Sequence, residues 1–188
     1  MPLKIEDYFG GMRPGLIFVV SLACLAWSGF IGACAPKSPE PAEAATQFYR
    51  VMVTTQVRGL PSDVQMKILR PLMSLELDTL IETARHAQLH FIDAHPDEKP
   101  PWIEGNLFGS LFEGQKRFSL GEGVVRGDTA RIPVHLEYFE NEDTVHWTDE
   151  AVVVKYAEGW RVSDIRFKAP WDFKPGGGLR EILKSPIE

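Results

Sequence analysis

Between residues 130 and 139, Ala130, Ile132, Val134, Leu136 and Tyr138 alternate strictly with Arg131, Pro133, His135, Glu137 and Phe139. A period of two sends the two sets to opposite faces of a half-buried strand. Such a strand needs neighbours at its edges and a layer over its apolar face, which limits the folds open to the chain. Pro133 has no N–H to give a ladder, so the pattern predicts an edge strand or a bulge at that point.

The flanking segments extend the pattern. Residues 117–125 read as a strand, and Arg126-Gly127-Asp128 as a turn. Glu140-Asn141-Glu142-Asp143 turns into a long strand, Val145 to Tyr156; Glu158-Gly159 turns again, and Trp160 to Phe167 returns. Short links between successive strands make an antiparallel meander.

The first half keeps a different period. A helix is predicted from about Pro41 to Gln56, with Ala45, Phe48, Tyr49 and Met52 on one stripe and Gly59 ending it. Ser62 and Gln65 form a capping-box pair for a short helix to Leu69, broken at Pro71. Ser74, followed by Glu76 and Asp78, opens the longest helix, to about His95. Its stripe is Leu77, Leu80, Ile81, Ala84, Ala87, Phe91 and Ala94, which predicts a face packed on a sheet or other helices. Leu179 to Leu183 form a short last helix after Gly176-Gly177-Gly178. Helices first and a meander after give an α+β class, with N-terminal helices on one face of a curved antiparallel sheet, in one domain over residues 42–188.

Ahead of that domain, residues 15–33 form an uncharged apolar run of 19 residues whose last three, with the residue after them, read Ile31-Gly32-Ala33-Cys34. Apolar core, small residues and cysteine resemble the bacterial lipoprotein signal. The resemblance implies cleavage between Ala33 and Cys34 and lipidation of the Cys34 thiol. Several acyl chains hold a protein where one anchors only marginally. The run also approaches the roughly 20 residues of a membrane span, so an uncleaved anchor, or a buried helix, stands as the alternative. Lys4, Glu6, Asp7 and Arg13 cancel in charge, whereas a start at Met12 gives a conventional positive end; Met12 is the expected initiator. Residues 34–41 hold Pro36, Pro39 and Pro41 and read as a lipidated tether. Ala35, where an Asp would favour the inner membrane, points to the outer membrane of the cell envelope, facing the periplasm.

The end of the chain carries a second resemblance. Val152-Val153-Val154-Lys155, Gly159-Trp160-Arg161-Val162-Ser163-Asp164-Ile165 and Leu179-Arg180-Glu181-Ile182-Leu183 resemble bacterial envelope proteins of the DUF3828 type, related to the NTF2-like and cystatin-like superfamily. The Tyr49 helix and the Gly127-Asp128-Thr129-Ala130-Arg131-Ile132 hairpin fit the same pattern. The resemblance implies the fold and carries no activity with it.

Charge and composition narrow the function. The chain carries 20 Lys+Arg and 26 Asp+Glu, a formal −6 with no basic block, which argues against nucleic acid as partner. Without residues 1–33 the balance stays at 18 basic and 24 acidic side chains. Cys24 and Cys34 are the two cysteines, so a thiolate metal site or disulfide framework downstream is absent.

Four groups of side chains could carry chemistry. Glu82, His86, His90 and Asp93 share one helix face at metal-ligand spacing, but His-Ala-Gln-Leu-His lacks the glutamate of a zinc protease, and a solvated face is expected. Asp164, set among Trp160, Val162 and Ile165, is the candidate pocket residue with Trp160 and Tyr49. In NTF2-like enzymes such a carboxylate moves a proton next to a carbonyl; its structural alternative is an Arg166 or Arg161 partner, or backbone N–H bonds. His135 and His146 lie on neighbouring strands. Finally, residues 96–115 hold Trp102, Phe108 and Phe112, expected either to pack over the sheet mouth or, if exposed together, to form a partner surface. No cofactor or metal is expected. The leading expectation is a non-enzymatic, lipid-anchored envelope protein that binds a protein partner or small ligand, in the manner of an immunity or inhibitor protein. The alternative is an NTF2-like enzyme of isomerase or dehydratase type.

Overall fold

The structure is a computed structural model that describes residues 40–172 and 176–185. The expectations for the signal, Ala33, Cys34, the initiator and most of the tether lie outside the described residues. The order is α1 (Pro41–Thr55), α2 (Asp63–Leu69), a 3-10 turn (Arg70–Leu72), α3 (Leu75–Ala94), then β1 (Arg117–Leu120), β2 (Val124–Arg126), β3 (Thr129–Glu140), β4 (Asp143–Tyr156), β5 (Gly159–Arg166) and α4 (Leu179–Lys184). This is the α+β arrangement: helices, then an open antiparallel sheet of five strands in the order β1-β3-β4-β5, with β2 also on β3. Among the described residues no helix is long and apolar enough to cross a membrane.

Capping sets where the helices begin. The Ser62 hydroxyl accepts the Gln65 N–H while the Gln65 side chain takes the Ser62 N–H at 2.9 Å, a complete capping box. The Ser74 hydroxyl caps α3 through the Leu77 N–H at 3.1 Å. Helix α1 ends where expected, at Thr55 with Gln56 as its cap, and the left-handed turn that stops it is made by Gln56 at φ 46° before Gly59 is reached.

Gly59 has another task. At φ 62° it donates its N–H to the Gly105 carbonyl at 2.7 Å, and Leu60 donates to Trp102 at 3.0 Å. A Cβ there would overlap the Trp102 carbonyl oxygen and the Ile103 backbone. The missing side chain therefore lets residues 102–105 close against the α1–α2 link.

Pro133 is accommodated by its neighbour. The single strand expected over 117–125 is two strands: β1 pairs with β3 up to Leu120 opposite Val134, and β2 resumes at Val124 opposite Arg131. Three residues, 121–123, thus face Ile132 and Pro133, an extra residue in the partner strand. The Pro133 carbonyl accepts from the Gly121 N–H at 2.8 Å, so its missing donor faces this same break. A second bulge lies in β5, where Val162 pairs with Val153 and Asp164 with Val152, leaving Ser163 over. It brings Val162 and Ile165 to the core face although they are three residues apart.

On that face Ala130, Ile132, Val134 and Leu136 of β3 and Ala151 and Val153 of β4 share one core with Phe48, Tyr49 and Met52 of α1 and with Leu77 and Ile81 of α3, which lies against β5. Each large apolar side chain buried there contributes roughly 1.5–3 kcal/mol. The outer edge of β5 is covered: Ser74 donates to the Val162 carbonyl at 2.8 Å and Phe167 to Gly177 at 3.1 Å, which removes an open template for strand addition.

Gly59→Ala adds both a left-handed alanine and a backbone overlap. It is expected to cost at least about 2 kcal/mol in urea unfolding, with cooperativity retained; an unchanged midpoint would contradict the close approach.

Candidate functional site

The fully buried carboxylate is Asp149, which sequence reasoning passed over. It lies on the core face of β4, opposite Val134 and two residues from both Trp147 and Ala151, with no exposure to solvent. Four donors converge on it: Ser110 N–H at 2.9 Å, Ser110 hydroxyl at 2.5 Å, Trp147 Nε1–H at 3.0 Å and Lys168 N–H at 2.9 Å. A charge held without a cation in the interior needs such donors, because hydrogen bonds to the charged form replace its hydration. Strand parity could have revealed it, since Trp147, Asp149, Ala151 and Val153 share the inward set.

Tyr49 lies nearby. Its ring is buried, edge-on to Phe48 at 5.6 Å and tilted on Phe118 at 5.7 Å. Its hydroxyl has no hydrogen-bond partner among the described residues. Burial first, and the Asp149 charge second, push its pKa well above the ordinary 10.0. Tyr49 lines packed core, as does Trp160, which is buried against the same cluster.

Asp164 is also buried, at 5% exposure, yet it is engaged structurally. One oxygen accepts from its neighbour Ile165 N–H at 2.9 Å and from Arg180 N–H in the first turn of α4 at 3.0 Å. The other faces Arg166 Nε at 3.2 Å. The structure thus places Asp164 at the junction of β5 and α4, apart from Tyr49 and Trp160 on the core side. The residues grouped as a pocket do not meet in one.

The aromatic loop divides. Phe108, at 1% exposure, belongs to the core, and Trp102 is half-buried, whereas Phe112 is 60% exposed. A patch that exposes all three is therefore ruled out. The reason is Asn106, whose side chain accepts from Phe108 N–H at 3.0 Å and donates to the Leu111 carbonyl at 3.2 Å, curling the loop so that Phe108 and Leu111 point inward.

On α3, Glu82 is occupied by Arg70 at 2.5 Å and Arg85 at 2.8 Å, leaving His86 and His90 on an exposed face. Among the described residues no three His, Cys, Asp or Glu side chains converge as metal ligands.

The outward face of the sheet is polar and open. Arg117, Glu137 and His146 form one cross-strand row, and Ser119, His135 and Thr148 the next. Arg117 lies 3.1 Å from Glu137, His146 Nδ1 lies 3.6 Å from Glu137, and His135 Nδ1 lies 3.0 Å from the Thr148 hydroxyl. The two histidines sit on a diagonal, each with its own partner, and the rows line a groove of about 450 Å³. Such a surface offers hydrogen bonds to a partner and keeps no reacting group away from water.

No family model matches this chain, and neither a curated protein nor a solved structure matches it.

Two substitutions separate structural from ligand-contacting roles. Asp149→Asn puts an amide N–H₂ among N–H and O–H donors and is expected to cost about 3 kcal/mol in urea unfolding. Tyr49→Phe removes a buried, unpaired hydroxyl and is expected to stabilise by about 1 kcal/mol. Because the folded pKa of Tyr49 is raised, its contribution is fully present below the unfolded value near 10.0 and is lost as pH climbs above it. Unfolding curves between pH 9 and 11 should therefore fall less steeply for Tyr49→Phe than for the native chain; identical slopes would contradict the buried neutral phenol.

Proposed function

We propose that this chain is a lipid-anchored cell-envelope protein, held through Cys34 at the outer membrane and facing the periplasm. Its domain, of the NTF2-like or cystatin-like kind seen in envelope proteins of the DUF3828 type, binds a protein partner or small ligand without chemical change. One observation carries the reading: the buried carboxylates are consumed by the fold. Asp149 is saturated by four donors and Asp164 is divided between α4 and Arg166. A general base needs a free lone pair within reach of substrate; Asp149 has none, and Asp164 has both oxygens engaged, one by two backbone N–H groups and the other by the Arg166 cation.

What remains for recognition is surface. The polar sheet face with Arg117, His135 and Thr148, and the exposed Phe112 ring, offer hydrogen bonds and an apolar anchor. The acidic balance of the domain favours a partner other than nucleic acid.

Two experiments test the parts separately. Cells fed an alkyne-bearing palmitate are expected to label the native chain and not the Cys34→Ala variant; equal labelling would refute the anchor. A photoreactive residue installed at Ser119 or Thr148 is expected to give a discrete adduct in intact cells that is missing when it is installed at Glu158 in the β4–β5 turn. Absence of any adduct from the sheet face would refute that surface.

A further inference from the structure

The burial of helix α3 stops short of its C-terminal end. Leu77, Ile81 and Ala84 are buried, but Ala87 and Phe91 on the same stripe are only half-buried and Ala94 is exposed. The end of the stripe therefore makes a groove in place of core. Leu80, Ala87, Phe91, Trp102 and Leu183 supply its apolar lining, and its volume is about 610 Å³, within the range of small-molecule sites.

Three features define what fits. First, the charge is one-sided: Lys184 lines the groove beside the polar imidazoles of His90 and His95, and no aspartate or glutamate does, in a chain with 26 acidic and 20 basic side chains. His95 is stacked on Phe91 at 4.7 Å and faces Glu98 at 3.2 Å, just outside the lining. Lys184 is exposed and, among the described residues, in no ion pair. It also borders the neighbouring pocket, where Arg166 is held by Asp164 and Arg180 by Glu76, so Lys184 is the uncommitted cation of α4.

Second, the wall made by α3 is a helix whose backbone bonds are internal, which leaves an extended peptide little to pair with. A three-turn helix about 10 Å across would need roughly twice the space. Third, Trp102 is held at φ 53°, a conformation a bulky residue rarely adopts, by its carbonyl accepting Leu60 N–H at 3.0 Å. That tether keeps the indole at the groove.

We propose that this groove binds a free single-chain anionic amphiphile of the long-chain carboxylate class, its alkyl chain along Leu80, Ala87, Phe91 and Trp102 and its carboxylate at Lys184. This deepens the binding-domain reading by naming a ligand class, and its failure would leave the sheet-face partner untouched.

The test is calorimetry on the full chain held in phospholipid nanodiscs, with empty nanodiscs as reference and decanoate as probe. Saturable one-to-one binding is expected. Octanoate, two methylenes shorter, should bind about tenfold more weakly. Lys184→Glu, at an exposed position that does not threaten the fold, should weaken decanoate by about fivefold. Decyltrimethylammonium should bind more weakly than decanoate to the native chain and gain on it in that variant. Ala87→Trp, which fills the groove, should abolish binding at an unchanged thermal midpoint. Binding that does not saturate, that ignores chain length, that is equal for the cationic probe, or that survives Ala87→Trp would overturn the proposal.

Discussion

A carboxylate on the apolar side of a strand dictates much of what surrounds it. Asp149 takes an inward position where Leu136, Val134 and Ile132 on the neighbouring strand are apolar, and an ion there is costly unless its oxygens are filled. They are filled by Ser110 from the long connection after α3, by Trp147 from the same strand, and by Lys168 from the chain leaving β5. Three segments far apart in sequence are thus tied to one group. The connection has no helix or strand of its own between residues 95 and 116. Its order comes from this node and from the Asn106 bonds that turn Phe108 and Leu111 inward.

The same node bears on chemistry. A domain of helices over an antiparallel sheet can keep a cavity between the layers and aim a carboxylate into it. In this chain that space holds Phe48, Tyr49, Phe108 and Met66, and its carboxylate is fully engaged. Asp164, moved to the other side of β5 by the Ser163 bulge, serves as the first-turn partner of α4. On the proposed binding reading, recognition falls to surfaces: the polar rows of the sheet and the exposed reach of α3. Exposed ion pairs such as Arg131 with Glu150 at 2.7 Å add little to stability, so the fold does not depend on the polar residues of the outer face.

Much of the framework was legible because it rests on local signals. Ser62 with Gln65 and Ser74 with Glu76 and Asp78 announce helix starts through bonds made within a few residues. The alternation from Ala130 to Tyr138 fixes which side of β3 faces the core. The features that escaped depend on partners distant in sequence. Pro133 did bring a bulge, but in the opposing strand, since three residues of the β1–β2 link could supply the slack. The stripe of α3 continues to Ala94 in sequence, whereas its full burial ends at Ala84. Asp164 drew attention through its apolar neighbours, and Asp149 escaped it because a strand of mixed polarity hid one carboxylate of the wrong parity.

The claim that a single buried carboxylate locks the long connection to the sheet is tested most directly by amide hydrogen exchange on the native chain. The amides of Ser110 and Lys168, whose N–H groups both end on Asp149, should exchange only through global unfolding, at the rate of the central β3 and β4 amides. Exchange of these two amides at the rate of an exposed loop, while β3 and β4 stay protected, would contradict it.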